Sequence, residues 1–250
     1  IAWNRRFLGF VDDDEKDDDD SDDEDGASSV GLRFEGGEVA RAEVVVGADG
    51  IFSRVRAAAD GPAPEYVGLV VVLGVCDAAA VSPDFRRATW QALDGESRIY
   101  AMPFDGPVDI STEDLALDDD SEDRSTARVM WQLSWPVGDV AEAEAFQKQD
   151  NVLGACASRL ASWHVEDAKR MIAATADADV VAYALRSARD VTPLLSVGRH
   201  AVALIGDAAA AMTPFKGQGA NQALISALAL ARAIARADRH TENDRHTETD

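Results

Sequence analysis

The residues best suited to chemistry lie near the end of this chain, where an acid follows a buried strand. Ala201–Ile205 is a short apolar run that predicts a fully buried strand, and Gly206 and Asp207 come directly after it. Ligands of open α/β sheets bind at the carboxyl ends of the strands. Asp207 is therefore placed to accept a hydrogen bond from a hydroxyl group of a ribose or ribityl chain.

The loop after Asp207 carries residues that let the backbone approach a ligand closely. Pro214 stiffens this loop, and Gly217 and Gly219 leave room for a flat ligand. A helix rich in alanine and leucine is predicted over residues 221–236. Its first backbone N–H groups and its positive end would stabilise negative charge developing on an electron-rich ring.

A second strand with a comparable ending lies in the first quarter of the chain. Ala42–Val46 predicts a buried parallel strand, and the sequence Gly-Ala-Asp-Gly follows it at positions 47–50. Ser53 is a suitable N-cap for a helical turn that runs to Arg56. Ordinary turn glycines and a strand-end cap would explain either loop alone, but two such endings in one chain favour a ligand site.

Both segments resemble fingerprints of one enzyme family. VVVGADGIFSRVR (Val44–Arg56) is similar to the Asp-Gly fingerprint of the class A flavoprotein monooxygenases, the aromatic hydroxylases typified by para-hydroxybenzoate hydroxylase. IGDAAAAMTPFKGQGANQA (Ile205–Ala223) is similar to their Gly-Asp fingerprint. Ala210 and Ser226 depart from the family, which often has His and an acid at these two positions.

The resemblance implies an FAD site and a redox reaction. Asp207 would bind the ribityl or phosphate-linking part of FAD, and Asp49 would lie near the pyrophosphate. The isoalloxazine ring would be bordered by Pro214, Gly217, Gln218, Gly219, Ala220 and Asn221. NAD(P)H would reduce FAD, and one oxygen atom of O2 would be transferred to a small organic substrate, with aromatic compounds as one class. No side chain is assigned as a catalytic nucleophile or acid, because the cofactor performs the oxygen chemistry.

Two alternatives to this function stay open. The chain could be another flavin oxidoreductase of the same fold, such as a reductase or an epoxidase. It could also be a non-catalytic interaction protein that binds a basic partner through its acidic tracts, because the Gly-x-Gly-x-x-Gly loop that opens the family fold does not occur in these 250 residues. With Ile1 as first residue, the expectation is that an N-terminal βαβ unit is missing.

The expected fold class is α/β, a Rossmann-like FAD/NAD(P)-binding domain with an inserted α+β substrate domain that contains a mainly antiparallel sheet. Residues 1–62 and 197–237 are predicted to form the FAD-binding domain, residues 63–196 the substrate domain, and residues 238–250 a disordered tail. Alternation along Ala127–Trp135 predicts a half-buried antiparallel strand. The candidates for its pocket, or for its core, are Met102, Phe104, Trp131 and Trp135.

Two acidic tracts dominate the charge of the chain. The formal net charge is -22, but Asp12–Asp25 and Glu113–Asp123 carry most of it, and the remainder is close to neutral. Such runs repel themselves, so solvated loops are expected and a protein partner is the weaker interpretation. Neither part of the chain offers the basic surface that nucleic acid or anionic lipid requires.

The remaining composition points to a protein without metal, disulfide or membrane span. Cys76 and Cys156 have no Cys-x-x-Cys spacing and no paired histidines near them in sequence. The longest apolar stretch, Tyr66–Cys76, is well short of the roughly 20 residues that cross a bilayer. These features do not encode a compartment, and a soluble cytoplasmic protein that acts on a small molecule is the expectation.

Overall fold

The computed structural model describes residues 2–11, 29–105, 127–197 and 200–247. Both acidic tracts, and the loops predicted for them, lie outside the described residues. The chain divides into two units: unit 1 comprises Ile1–Glu65 and Arg186–Asp250, and unit 2 comprises Tyr66–Leu185. The mixed α/β class predicted from the sequence is confirmed.

Unit 1 contains two three-stranded sheets. The first is antiparallel, in the order β1 (Phe7–Val11), β2 (Val30–Phe34) and β3 (Val39–Ala42). Gly36 and Gly37 form the turn between β2 and β3 with φ angles of 93° and 85°, a conformation that glycine adopts without strain.

The second sheet of unit 1 pairs the two strands whose endings stood out in the sequence. Its order is β10 (Leu194–Val197), β11 (His200–Leu204) and β4 (Val45–Gly47). Strand β11 runs parallel to β4 and antiparallel to β10. The apolar side chains of this sheet pack with those of the following helices and with Val30 of β2 in one buried cluster, whose other members are Val45, Val55, Val202, Leu204, Ala208 and Ala209. The parallel pair expected here is present, but β4 covers only Val45–Gly47 of the strand predicted over Ala42–Val46, and Val46 is exposed rather than buried. Ala42 belongs instead to β3.

The boundary between the units differs from the sequence-based one. The sequence assigned residues 186–196 to the substrate domain, whereas the structure groups them with unit 1. The reason is strand pairing, because Leu195 of β10 lies opposite Val202 of β11. The first boundary falls after Glu65 rather than after residue 62.

Helices follow the strands of unit 1. They are α1 (Arg54–Ala58), α6 (Asp207–Ala210), a 3-10 turn at Pro214–Lys216 and α7 (Gly219–Thr247). Helix α7 extends well beyond the predicted end at residue 236 and includes most of the tail predicted to be disordered. The sequence explains this difference, because it contains no glycine or proline after Gly219 to end the helix.

Unit 2 is built on a five-stranded sheet in the order β6-β7-β8-β5-β9. The strands are β5 (Glu65–Asp77), β6 (Trp90–Leu93), β7 (Arg98–Asp105), β8 (Arg128–Pro136) and β9 (Thr175–Ser187). The pairs β6–β7, β7–β8 and β5–β8 are antiparallel. The helices are α2 (Pro83–Arg86), α3 (Val140–Gln147), α4 (Val152–Arg159) and α5 (Glu166–Ala174), with a 3-10 turn at Ala78–Ala80.

One face of this sheet forms the main core with helices α3 to α5. Trp131 is fully buried there, and its indole Nε1 donates a hydrogen bond to Thr175 Oγ1 at 2.8 Å. Trp135 stacks edge-on against Phe146, with ring centroids 5.0 Å apart. Both tryptophans, considered as pocket candidates, are therefore core residues. Strand β8 requires Gly74 opposite it, because any side chain there would collide with the Trp131 indole.

The two segments of unit 1 that lead into and out of unit 2 contact each other. Arg186 donates a hydrogen bond from Nη1 to the carbonyl oxygen of Pro64 at 3.4 Å. Glu65 and Arg189 form an ion pair at 3.8 Å. The strands that carry the two connections, β5 and β9, are neighbours in the sheet.

Candidate cofactor site

The parallel pair β4 and β11 brings the two sequence loops together. Their carboxyl ends meet at one edge of the sheet, and Ile205 N donates to the carbonyl oxygen of Gly47 at 3.0 Å, which extends the pairing. A cleft of about 420 Å³ opens at this edge. The residues that line it come from both loops and from the start of α7: Ala48, Gly50, Ile205, Gly206, Asp207, Gly219, Ala220 and Ala223.

Gly206 has a backbone conformation that only glycine adopts readily, with φ 57° and ψ -141°. A Cβ atom on Gly206 would also lie 3.3 Å from the Cβ of Ala223. The close approach of this loop to α7 is fixed by Ser226, whose Oγ accepts a hydrogen bond from Gly206 N at 3.1 Å. The same hydroxyl donates to the carbonyl oxygen of Ala223 at 2.9 Å. Ser226, which stands where an acid was expected, is a positioning residue for the cleft.

Asp207 lies on the wall of the cleft, after the strand that precedes it. It is the first residue of α6, its side chain is exposed, and its carboxylate makes no hydrogen bond with the described part of the chain. It is therefore available as an acceptor. Gly219 and Ala220 line the cleft at the N-terminus of α7, where the first N–H groups of a helix have no partner within it. The cleft thus combines an acceptor carboxylate with backbone donors.

Asp49 has a local role in the structure. Its Oδ2 accepts hydrogen bonds from Arg54 N at 2.7 Å and from Val55 N at 3.2 Å, in the first turn of helix α1. The predicted N-cap of this helix, Ser53, accepts from Arg56 N. The neighbours of Asp49 on both sides, Ala48 and Gly50, line the cleft. Asp49 therefore holds the loop in place, and its contact with a pyrophosphate stays a prediction.

Arg56 connects the Asp-Gly loop with the start of helix α6. The side chain is buried, with 6% of its surface exposed, and it donates to the carbonyl oxygens of Ala208 at 2.8 Å and Ile51 at 2.6 Å. Burial lowers the pKa of Arg56, and the negative charge of Asp49 opposes this shift. The guanidinium is thus used in holding α6 against the Asp-Gly loop.

Several predicted residues do not line the cleft. Pro214 begins a 3-10 turn that ends at Gly217, which adopts the left-handed conformation with φ 61°. This turn leads through Gln218 into α7, and Asn221 lies within its first turn. Contact of these residues with a flavin ring stays a prediction.

Five lining residues were not predicted as site residues: Ala48, Gly50, Ile205, Gly206 and Ala223. Four of these five are glycine or alanine, which carry no reactive group and so attract no attention by type. The signal that located the cleft was the position of the loops after strands. A surface of small side chains, with one carboxylate, fits a ligand whose phosphates and sugar approach the backbone directly, as the FAD expectation requires.

The rest of the described chain contains no competing site of the metal or thiol type. Residues 2–11, 29–105, 127–197 and 200–247 include no cluster of three or more potential metal-binding side chains. Burial raises the pKa of the Cys76 thiol to about 11 and that of the Cys156 thiol to about 12, so both are protonated and unreactive at neutral pH. None of the described helices is long and apolar enough to cross a membrane.

The sequence matches a family model described as FAD binding domain over residues 15–249. The curated relatives that it matches include 3-amino-4-hydroxybenzoate 2-monooxygenase of Streptomyces cremeus, which is 30% identical over 200 residues. That alignment covers 78% of this chain and 42% of the relative, so the chain spans less than half the length of that enzyme.

Solved structures show the same fold at lower identity. One is 2,6-dihydroxypyridine-3-hydroxylase from Arthrobacter nicotinovorans, with a TM-score of 0.62, 22% identity, and coverage of 86% of this chain and 51% of that chain. Another is Klebsiella pneumoniae HpxO complexed with FAD and uric acid, with a TM-score of 0.60, 21% identity, and coverage of 88% and 46%.

Proposed function

Because this chain belongs to the FAD binding domain family, we propose that it is part of an FAD-dependent monooxygenase that uses NAD(P)H and O2 to hydroxylate a small aromatic substrate. The observation that carries the proposal is the cleft where the Asp-Gly loop, the Gly206–Asp207 loop and the N-terminus of α7 meet. When bound, FAD supplies the electron transfer and the activation of O2.

The residues of the chain hold and orient the cofactor. The Asp207 carboxylate accepts a hydrogen bond from a hydroxyl of the ribityl chain, since it is exposed on the cleft wall and makes no hydrogen bond with another described residue. The N-terminus of α7 stabilises negative charge on the bound ligand through its N–H groups and its dipole. Gly206 allows the loop to lie close to α7, because it carries no Cβ.

The substrate class is proposed from the relatives. The Streptomyces cremeus relative acts, by its name, on 3-amino-4-hydroxybenzoate, a small aromatic acid. A substrate of this kind is hydroxylated through the cofactor, so the proposal requires no nucleophile or metal ligand from the protein. The protein would supply orientation and a site from which water is excluded.

The decisive experiment is a titration of the purified chain with FAD, followed by visible flavin absorbance and fluorescence quenching. Asp207→Ala is expected to weaken FAD binding about 10- to 100-fold, because a hydrogen bond to a charged acceptor is lost. The matched control is Asp150→Ala, which removes an exposed carboxylate from unit 2 and should leave FAD affinity unchanged.

Turnover provides the second measurement. With FAD, NAD(P)H and 3-amino-4-hydroxybenzoate, the consumption of NAD(P)H and of O2 should match the amount of hydroxylated product. A wild-type chain that does not bind FAD would contradict the proposal, and so would an Asp207→Ala variant with unchanged affinity. Oxidation of NAD(P)H without a hydroxylated product would favour another flavin oxidoreductase.

A further inference from the structure

Gln132, in the middle of β8, has a side-chain amide nitrogen that makes no hydrogen bond with another described residue. Only 5% of the residue is exposed, and its amide nitrogen Nε2 is buried with no hydrogen-bond partner in the described part of the protein. A buried amide without a partner costs about 1–3 kcal/mol, so proteins rarely keep one without a use for it.

The side chain of Gln132 lies on the face of the sheet opposite the helices. Its neighbours Trp131 and Leu133 both belong to the core that the helices cover, and successive side chains on a strand point to opposite faces. Across the sheet, Gln132 lies opposite Leu73 of β5 and Tyr100 of β7.

The side chains around Gln132 are suited to a flat, partly apolar ligand. Tyr100, Met102 and Met130 are on the same face and are only half-buried. The Tyr100 hydroxyl donates to Met102 Sδ at 3.5 Å. Methionine side chains are flexible and make favourable sulfur contacts with aromatic rings, so they can move aside and then pack on a ring.

A positive charge lies on the same face. Arg98 stands two residues before Tyr100 on β7, and its guanidinium carbon lies 5.2 Å from the centre of the Tyr100 ring. Its Nε donates to Gln91 Oε1 at 3.0 Å, which holds the side chain along the sheet. The charge favours a ligand that carries an anionic oxygen.

We propose that Gln132 is a specificity residue that donates a hydrogen bond from Nε2 to the carboxylate of an aromatic acid bound on this face of unit 2. The inference rests on the proposed function, which it deepens by naming the group that recognises the substrate. The ligand acceptor satisfies the buried amide, while the ring packs against Tyr100 and the two methionines.

The experiment measures the binding of two probes to the full chain by calorimetry. The first probe is 3-amino-4-hydroxybenzoate, and the second is 2-aminophenol, the same ring without the carboxylate. Gln132→Met keeps the size of the side chain and removes the amide. It should weaken binding of the first probe about 10- to 100-fold and leave the affinity for the second probe unchanged. Gln149→Met, at an exposed position after α3, is the matched control and should change neither affinity.

Stability and FAD affinity separate this role from a structural one. Removal of an unpaired buried amide should leave Tm unchanged or raise it, and FAD binding by Gln132→Met should equal that of the wild type. The inference is overturned by a wild-type chain that does not bind the first probe, by equal losses for both probes, or by a lower Tm. If the wild-type chain does not bind FAD, but Gln132→Met still loses affinity for the first probe alone, then the proposed function is overturned and the role of Gln132 is not.

Discussion

The cleft of unit 1 and the Gln132 face of unit 2 are built in opposite ways. The cleft consists mostly of glycine and alanine, so the backbone itself forms the surface that a ligand meets. The Gln132 face presents large side chains, among them Tyr100 and Met102, on a regular sheet. A backbone surface tolerates few substitutions, whereas side chains on a sheet can change without altering the fold. In our proposals the first surface binds a constant cofactor and the second binds a variable substrate.

The largest expected effect comes from a comparison of the two faces of the unit 2 sheet, one of which forms the core while the other carries Gln132. Trp131→Ala removes a fully buried indole and its hydrogen bond to Thr175, and should destabilise the chain by about 3–5 kcal/mol. Gln132→Met, one residue along the same strand, should cost nothing. Urea denaturation followed by circular dichroism measures both. Equal losses for the two variants would mean that both faces serve folding.

A smaller effect is expected from a single methyl group in the cleft. Gly206→Ala places a Cβ in a conformation that only glycine adopts readily and 3.3 Å from Ala223, so it should cost about 1–3 kcal/mol and reduce FAD binding. Gly138→Ala is the control, because a Cβ there would meet nothing within 4 Å. Urea midpoints and FAD titrations measure both effects. Unchanged FAD affinity in Gly206→Ala would show that the cleft is not shaped by its backbone.

Ser226→Ala tests the link between α7 and the loop. It removes the acceptor of the Gly206 N–H group, and a loss of about 1 kcal/mol in the free energy of unfolding is expected, with weaker FAD binding. Ser158→Ala removes an exposed hydroxyl that bonds to its own helix at Gly154, and it should change stability less and FAD affinity not at all. If Ser158→Ala lowered FAD affinity as much as Ser226→Ala, the positioning role of Ser226 would be excluded.

The smallest effects concern the thiols, both of which lie in unit 2. The pKa values of about 11 and about 12 for Cys76 and Cys156 exceed the ordinary thiol value of about 8.5. The raised pKa values of the two thiols contribute fully to the free energy of unfolding below about pH 8.5. This contribution is lost as the pH rises toward 11 and 12, because the thiols of the unfolded chain release their protons first. Below that range a thiol reagent should label only unfolded protein.

Labelling of the thiols at pH 8 also shows whether unit 2 opens independently of unit 1. FAD bound in unit 1 should leave the labelling rate of the thiols unchanged if unit 2 opens by itself. A rate that falls on addition of FAD would show that the cofactor protects both units. Fast labelling of the native chain without FAD would contradict the burial of the thiols.

Sequence reasoning located the cleft because its signals are local. A buried strand followed by a Gly-Asp pair fixes where the loop lies, and Asp207 was identified in this way. The pairing of β10 with β11 was missed, since it depends on contacts that no short segment encodes. The alternation in β8 correctly separates Trp131 from Gln132, but it does not state which face the helices cover. The tryptophans were therefore considered for a pocket, and Gln132 was not considered.

The contact between the segments that lead into and out of unit 2 has a consequence for exchange of that unit. The hydrogen bond between Arg186 and Pro64 and the ion pair between Arg189 and Glu65 bring the entering and leaving strands to one point. An inserted module whose ends meet can be lengthened, shortened or replaced while the host strands keep their spacing. Exchange within unit 2 can then proceed while the fold of unit 1 is kept.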